Sequence, residues 1–373
     1  MHIYFSGIGG AGIGPLALIT HQAGFDVSGS DKQESGYITY LQQHGITRIT
    51  IGQTEDAIRA AHEAQQINWF VYSSELPKEN PDHPELRFVQ AHGIKNSKRD
   101  EFLTYLLSEK QLKLIAVAGT HGKTTVSTMI AHLLTVGKVR CNAFLGGIAA
   151  NYGTNVLLND DAVVNVVEAD EYDRSFLKLC PSESVITAMD PDHLDIYGTP
   201  QAMFDAYTEF AILCDAPVLV HERIADHFTG RGQVSTYALG SSGTPRAENL
   251  RVVNGAYEFD LYAEGQNLTG LRLGMPGRHN VENAIAASTV ALRLGVTPEL
   301  LRQGLATFKG VSRRFETRIA GPEVVFIDDY AHHPTELNAA IAAAKMMYPE
   351  KKITGIFQPH LFSRTRDFAE GFA

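Results

Sequence analysis

The amino-acid sequence predicts an α/β protein built on doubly wound parallel sheets, and three observations carry that prediction. Apolar runs of four or five residues alternate with longer helical stretches that end near glycine. Two glycine loops, at residues 7–12 and 119–122, each stand between such a run and a helix. The composition, 44% hydrophobic and 20% charged, is that of a folded chain with enough apolar surface for several cores, and 373 residues allow two or three domains.

Residues 2–5, His-Ile-Tyr-Phe, read as the first strand, residues 10–23 as a helix stopped near Gly24, and residues 25–28 as the second strand. Residues 37–44 form a helix that Gly45 ends, and Trp69-Phe70-Val71-Tyr72 is a buried strand. The polar stretch 107–111 then closes a first domain at residues 1–108. A new apolar strand, 114–117, opens a second domain over 109–314, with further strands at 163–167, 184–187 and 218–220. Residues 235–273 differ: Gly/Ser turns and short alternating strands predict an antiparallel edge. An alanine-rich helix at 280–294 completes that domain. The last segment, 315–373, has a strand at 324–327, a helix at 335–348 and a strand at 353–357, and stops inside a helical pattern; it is short for a self-standing α/β domain.

Composition excludes several classes. No run of about 18 apolar residues exists, so no membrane span is expected. The first residues carry no basic n-region of a secretory signal, which points to a cytoplasmic protein. With 32 Lys+Arg against 42 Asp+Glu, a net charge of −10 and no basic block, nucleic acid is a poor partner. Cys141, Cys180 and Cys214 are too few and scattered for a disulfide framework and are expected to be buried thiols. The 33 glycines against 15 prolines direct attention to where the backbone must turn tightly or approach a ligand.

The first glycine loop contains a full GxGxxG, with Gly9, Gly10, Ala11 and Gly12 in its turn and Asp31 about 20 residues on. Such a Rossmann-like loop brings backbone close to a diphosphate at a helix N-terminus, and the acid can accept from a ribose hydroxyl. The second runs Gly119, Thr120, His121, Gly122, Lys123, Thr124, Thr125 after an apolar strand. Its amides would cradle phosphates, Lys123 would reach the outer phosphates, and the Thr124 hydroxyl would ligate Mg²⁺, as in P-loop ATPases. Val117 stands where the strict motif wants glycine, so the loop is a shortened variant. Glu168 opens the acidic run Glu168-Ala169-Asp170-Glu171 at a strand end and is the expected Mg²⁺ ligand. His193, within Asp190-Pro191-Asp192-His193-Leu194-Asp195, could hold a second metal or the acceptor. Asn280 and Asn283 suit a nucleobase or ribose edge or a helix cap. Clusters at residues 328–334 and 358–366 follow the last strands, and their arginines could stabilise a phosphoryl group or clamp a carboxylate.

In this order GIGGAG, AGTHGKTT, EADEYD, DPDHLD, GRHNVEN, GVSRRFE, DDYAHHPTE and QPHLFSRTRDF resemble the Mur ligases of peptidoglycan synthesis, nearest to their alanine-adding branch, across essentially the whole chain. The resemblance implies a Rossmann-like first domain that binds UDP-N-acetylmuramate, a central P-loop domain that binds ATP and Mg²⁺, and a partial Rossmann-like third domain that brings L-alanine. It implies that Thr124 and Glu168 hold one Mg²⁺, Glu168 and His193 a second, and that Asn280, Asn283 and Arg314 contact the nucleotide. Lys123, His193, Arg314 and Arg364 are implied as catalytic, with Tyr330, His332 and Arg364 on the alanine side. The carbamylated lysine of other branches is absent, because no lysine stands between Lys178 and Lys309, and Leu361 follows the QPH triplet where many relatives carry arginine. The third domain is less than half the length that the resemblance implies. A ligase adding a preformed tripeptide, an NAD-dependent dehydrogenase and a nucleotide-binding module without catalysis remain alternatives.

Overall fold

The computed structural model describes residues 1–373 except Ala11, Lys110, Gln111, Ser241, Asn254, Gly255, His360, Leu361 and Ala373, and without the side chains of Ser108, Glu109, Asp195, Ser363, Arg364 and Asp367. The expected roles of Ala11 and of the Arg364 side chain therefore lie outside the described residues, as does the departure at Leu361. The chain divides into two compact units, Met1–Leu112 and Lys113–Ala373.

In the first unit the order is β1 (His2–Ser6), α1 (Ile13–Gln22), β2 (Asp26–Asp31), α2 (Gly36–Gln43), β3 (Ile49–Ile51), α3 (Glu55–Ala64), β4 (Trp69–Tyr72), α4 (Glu75–Glu79), α5 (Pro84–Ala91), β5 (Lys95–Lys98) and α6 (Arg99–Glu109). The strands make one parallel sheet in the order β3-β2-β1-β4-β5. β1 is buried at every residue because helices cover both faces. Its alternation shows this directly: Ile3 and Phe5 pack with Leu16, Leu41 and Phe102, while Tyr4 packs on the other side with Ile58, Phe70 and Phe88. Ser35 and Thr54 cap α2 and α3 by accepting from Ile38 and Ala57 N–H groups.

The second unit runs β6 (Lys113–Ala118), α7 (Lys123–Val136), β7 (Cys141–Ala149), β8 (Thr154–Leu157), β9 (Val164–Glu168), β10 (Glu183–Ile186), α8 (Leu194–Tyr197), α9 (Pro200–Ile212), β11 (Val218–His221), β12 (Val234–Leu239), β13 (Arg246–Val253), β14 (Ala256–Ala263), β15 (Gln266–Leu273), α10 (Arg278–Arg293), α11 (Pro298–Thr307), β16 (Glu316–Ala320), β17 (Val325–Asp328), α12 (Pro334–Met347), α13 (Phe362–Asp367) and α14 (Ala369–Phe372). A ten-stranded sheet takes the order β15-β14-β13-β12-β11-β10-β6-β9-β7-β8. Its centre is parallel, and β8 and the β13–β15 meander add antiparallel edges. The expected antiparallel edge at 235–273 is therefore narrower: β12 pairs parallel with β11 and belongs to the main sheet. α7 is buried from Thr124 to Leu134, and α10 meets it in the same core with Ala284, Ala287 and Ala291, whose small side chains permit a close approach.

Two further expectations fail. Residues 353–357 have no regular secondary structure and lie outside any ladder among the described residues, with Ile356 98% exposed; β16 and β17 form a two-stranded sheet that does not extend to them. Only Cys141, which begins β7 between β9 and β8, is buried; Cys214 is half-buried and Cys180, in a loop, is exposed. Among the described residues no helix is long and apolar enough to cross a membrane.

Candidate functional site

β6 points its C-terminal end at the second glycine loop. Gly119 and Gly122 have φ of +128° and +84°, a range that favours glycine. Space forbids a side chain as well: a Cβ on Gly119 would strike Thr187 Oγ1 and approach Ala188 N to 2.8 Å, and one on Gly122 would lie 2.9 Å from Asn283 Oδ1. The Thr120 N–H donates to Ala188 O at 3.0 Å, and Thr120 Oγ1 accepts from the Asp190 N–H at 2.9 Å, which ties the loop to the segment after β10. Gly122 occupies the N-cap of α7 without a side-chain cap. The first amides of a buried helix are thus presented together, and with the helix dipole they attract an anion.

Lys123 Nζ donates to Gly119 O at 2.7 Å and lies 2.8 and 2.7 Å from the two oxygens of Glu171. Burial pulls its pKa down, but Glu171, Asp170 and Glu168 outweigh burial and hold it above the usual lysine value. Glu168 ends β9, accepts from the Gly146 N–H at 3.0 Å and is hydrogen-bonded by Thr124. Burial pushes its carboxyl up, against Lys123 and Thr124. A hydroxyl and a carboxylate fit Mg²⁺, which prefers oxygen donors and takes few of them from protein. Among the described residues no group of three His, Cys, Asp or Glu side chains converges as a cation cage. His193, with φ of +51°, faces Asp192 Oδ2 at 3.8 Å and packs edge-on against Tyr172.

Beside the loop lies a cavity of about 820 Å³. Its walls include His121, Gly122, Thr124 and Thr125 from the loop, Asn280 and Asn283 from α10, Arg314 at the end of the central segment, and Glu336 from the last segment. Asn280 is 3% exposed; it donates to Pro276 O at 2.6 Å and accepts from Asn283 Nδ2 at 3.2 Å. Residues flanking Arg314 are held in unusual backbone: Arg313 and Phe315 have φ of +61° and +52°. The Arg313 N–H donates to Glu316 Oε2 at 2.8 Å, and Asp329 accepts from the Phe315 N–H at 2.7 Å and the Ala331 N–H at 2.6 Å. Tyr330 lies under the Arg313 and Arg314 guanidinium groups, and its ring meets His332. Lys123, Glu168, His193, Tyr330 and His332 flank this cavity in sequence but do not line it.

His121 is flanked by two carboxylates. Its Nε2 is 3.2 Å from Asp190 Oδ2 and its Nδ1 3.2 Å from Glu336 Oε1. Burial opposes charge, but the two acids raise the imidazole pKa to about 9. Both ring nitrogens face acceptors, so the ring is an imidazolium at neutral pH.

In the first unit, Gly7 has φ of +78°, and the Gly7 and Ile8 N–H groups donate to Ser30 O at 2.8 and 2.9 Å. Asp31 Oδ2 accepts from the Gly9 N–H at 2.8 Å, so this acid also shapes the loop it was expected to serve. Gly9 is overlain by Ser35, and the Arg99 side chain lies against Gly12.

Sequence reasoning assigned no role to Glu171, Glu336 or the His221–Arg223–Glu282 group on the cavity wall. In that group Glu282 is 3.6 Å from His221 Nε2 and 3.3 Å from Arg223 Nη2. Glu171 was one acid in an acidic run, and Glu336 reads as an ordinary first-turn helix acid. His221 and Arg223 carry no motif.

Three family models match: "Mur ligase family, catalytic domain" over residues 2–111, "Mur ligase middle domain" over 117–291 and "Mur ligase, glutamate ligase domain" over 313–373. The chain is 43% identical over 378 residues to a UDP-N-acetylmuramate--L-alanine ligase of Porphyromonas gingivalis, covering all of this chain and 81% of that one. The crystal structure of the UDP-N-acetylmuramate-alanine ligase MurC of Thermotoga maritima superposes with a TM-score of 0.83 at 29% identity, covering 99% of this chain and 83% of that one. A UDP-N-acetylmuramate:L-alanyl-gamma-D-glutamyl-meso-diaminopimelate ligase from Neisseria superposes with a TM-score of 0.72 at 25% identity, covering 84% of this chain and 99% of that one.

Proposed function

The chain belongs to the Mur ligase family, and from that premise we propose that it joins L-alanine to the carboxylate of UDP-N-acetylmuramate at the expense of ATP, in the synthesis of peptidoglycan precursors. The observation that carries the reading is one cavity walled by the phosphate loop, the Asn280–Asn283 turn of α10, Arg314 and Glu336. On this reading the nucleotide occupies the cavity, and the alanine side adjoins it through Glu336, which lines the cavity and accepts from the His332 N–H.

A carboxylate is a poor electrophile, so the reaction proceeds by its attack on the γ-phosphoryl group of ATP and then by amine attack on the acyl phosphate. The free amides of α7 and Lys123 hold the phosphates, and Arg314 offsets charge on the transferring group. Thr124 and Glu168 would hold Mg²⁺, which when bound neutralises charge on the phosphate oxygens. Asn280 and Asn283 contact the nucleotide, and Tyr330, His332 and Arg364 the alanine. The residues 7–12 loop in the first unit takes the UDP diphosphate and Asp31 accepts from a ribose hydroxyl, in a three-part division at 1–108, 109–314 and 315–373.

An amino-acid panel with UDP-N-acetylmuramate and ATP tests the function. ADP release should require L-alanine; release that needs a tripeptide and ignores L-alanine would replace this reading with the recycling ligase. Lys123→Ala should lower kcat by about 10²-fold or more while UDP-N-acetylmuramate binding, followed by calorimetry, persists. Loss of both would refute the division of labour between the loops.

A further inference from the structure

One carboxylate spans the two halves of the proposed site. Glu336, on the first turn of α12, is 14% exposed at its side chain and lines the cavity. Its Oε1 faces the nucleotide side, 3.2 Å from His121 Nδ1 and 3.5 Å from Arg314 Nη1. Its Oε2 faces the amino-acid side, accepting from the His332 N–H at 3.0 Å and lying 3.5 Å from His332 Nδ1. His332 Nδ1 is in turn 2.7 Å from Tyr330 O. Among the described residues no other acid on the cavity wall is joined in this way to both: Asp190 reaches only the phosphate loop and Asp329 only the 330–332 segment.

We propose that Glu336 is a positioning residue that couples nucleotide and amino-acid binding. It holds the imidazolium of His121 and the guanidinium of Arg314 with one oxygen and the His332 backbone with the other. A shift of the 330–332 segment on binding the amino acid therefore moves the carboxylate and reorients two cations beside the phosphates. Coupling of this kind is reciprocal, so ATP must tighten the amino-acid side by the same factor. The inference rests on the alanine reading of Tyr330 and His332.

Glu336→Gln keeps the shape and removes the charge, Glu336→Ala removes both, and Glu336→Asp is the conservative rescue. Calorimetry on the whole protein gives Kd for ATP with and without L-alanine. In the parent protein L-alanine should tighten ATP about 10-fold, within the usual span of coupled sites. In Glu336→Gln and Glu336→Ala the factor should fall to near one, with UDP-N-acetylmuramate binding unchanged, and Glu336→Asp should restore part of it. The pH dependence of ATP binding supplies a readout that a packing role would not move. The groups facing His121 are Asp190 after β10, Glu336 on α12 and the His333 ring at 4.9 Å. With Glu336 gone, the loss of ATP affinity expected near pH 9 in the parent should move to lower pH by about a unit or more. A coupling factor and pH midpoint unchanged in Glu336→Gln would overturn the inference. Should Glu336→Ala fail to fold, Glu336→Gln decides alone. If L-alanine neither binds nor triggers ADP release in the parent protein while other amino acids do, the functional reading fails, and the coupling is then measured with the amino acid that does bind.

Discussion

Glu85 sits in the first unit with no exposed surface and accepts hydrogen bonds from Tyr4 (2.9 Å), Ser6 (2.6 Å) and Ser30 (2.5 Å). The same Ser30 offers its carbonyl to the Gly7 and Ile8 amides, so this acid anchors the strand tips that carry the first glycine loop. Burial raises its carboxyl above the usual 4.5, against the three hydroxyl donors. The folded state therefore holds this proton more tightly than the unfolded chain. Its contribution is full below about pH 4.5 and is lost as pH rises through the folded value. Glu85→Gln should flatten that fall in stability, read as Tm against pH; an unchanged slope would contradict the assignment. Glu85→Leu removes the shared acceptor of three hydroxyls and should cost about 2–4 kcal/mol in chemical denaturation. Nothing in His83-Pro84-Glu85-Leu86 announces this, because a glutamate behind proline looks like a solvated first-turn acid. Lys123 was legible for the opposite reason. Its neighbours in sequence, Gly122 and Thr124, are also its neighbours in the loop, whereas its partner Glu171 comes from a separate strand end.

Elements were legible where their signals are local: the helix expected at 335–348 is α12, and His333 before Pro334 caps it by accepting the Thr335 N–H. Thr199-Pro200 and Thr297-Pro298 carry the same signal and start α9 and α11, which the sequence reading did not include. Strands such as β16, Glu-Thr-Arg-Ile-Ala, were missed because only their pairing defines them, here with β17. The same cause runs in reverse at residues 353–357, which have strand composition and pair with no strand among the described residues. α12 is held to the phosphate loop by the His121–Glu336 pair. The imidazole pKa lies at about 9 against an ordinary 6.5, and the Glu336 carboxyl is held below its ordinary 4.5, so the pair stabilises fully between about pH 4.5 and 6.5 and its contribution is lost as pH rises through about 9. Hydrogen exchange, corrected for its intrinsic pH dependence, should show α12 opening more often at pH 10 than at pH 7, with α7 unaffected. Equal protection of α12 at both would show that the ion pair does not hold it.

At the scale of the whole molecule, each compact unit has its own core and its own glycine loop. UDP-N-acetylmuramate should therefore protect residues 1–112 from hydrogen exchange and ATP residues 113–373, each by about 2.7 kcal/mol at a hundred times Kd. Protection by ATP confined to the first unit would reverse the assignment. The order of the motifs was readable along the chain, but their convergence was not. His121 and Glu336 are separated by 215 residues, and only the fold brings them within 3.2 Å. The pairings around the phosphate loop share one property. Lys123, His121 and Arg314 each already face a carboxylate, from Glu171, from Asp190 with Glu336, and from Glu336. On the proposed function, a polyphosphate bound here would share these three cations with the protein's own acids. In a chain of net charge −10, an anion entering without its own countercation would be resisted by those same acids.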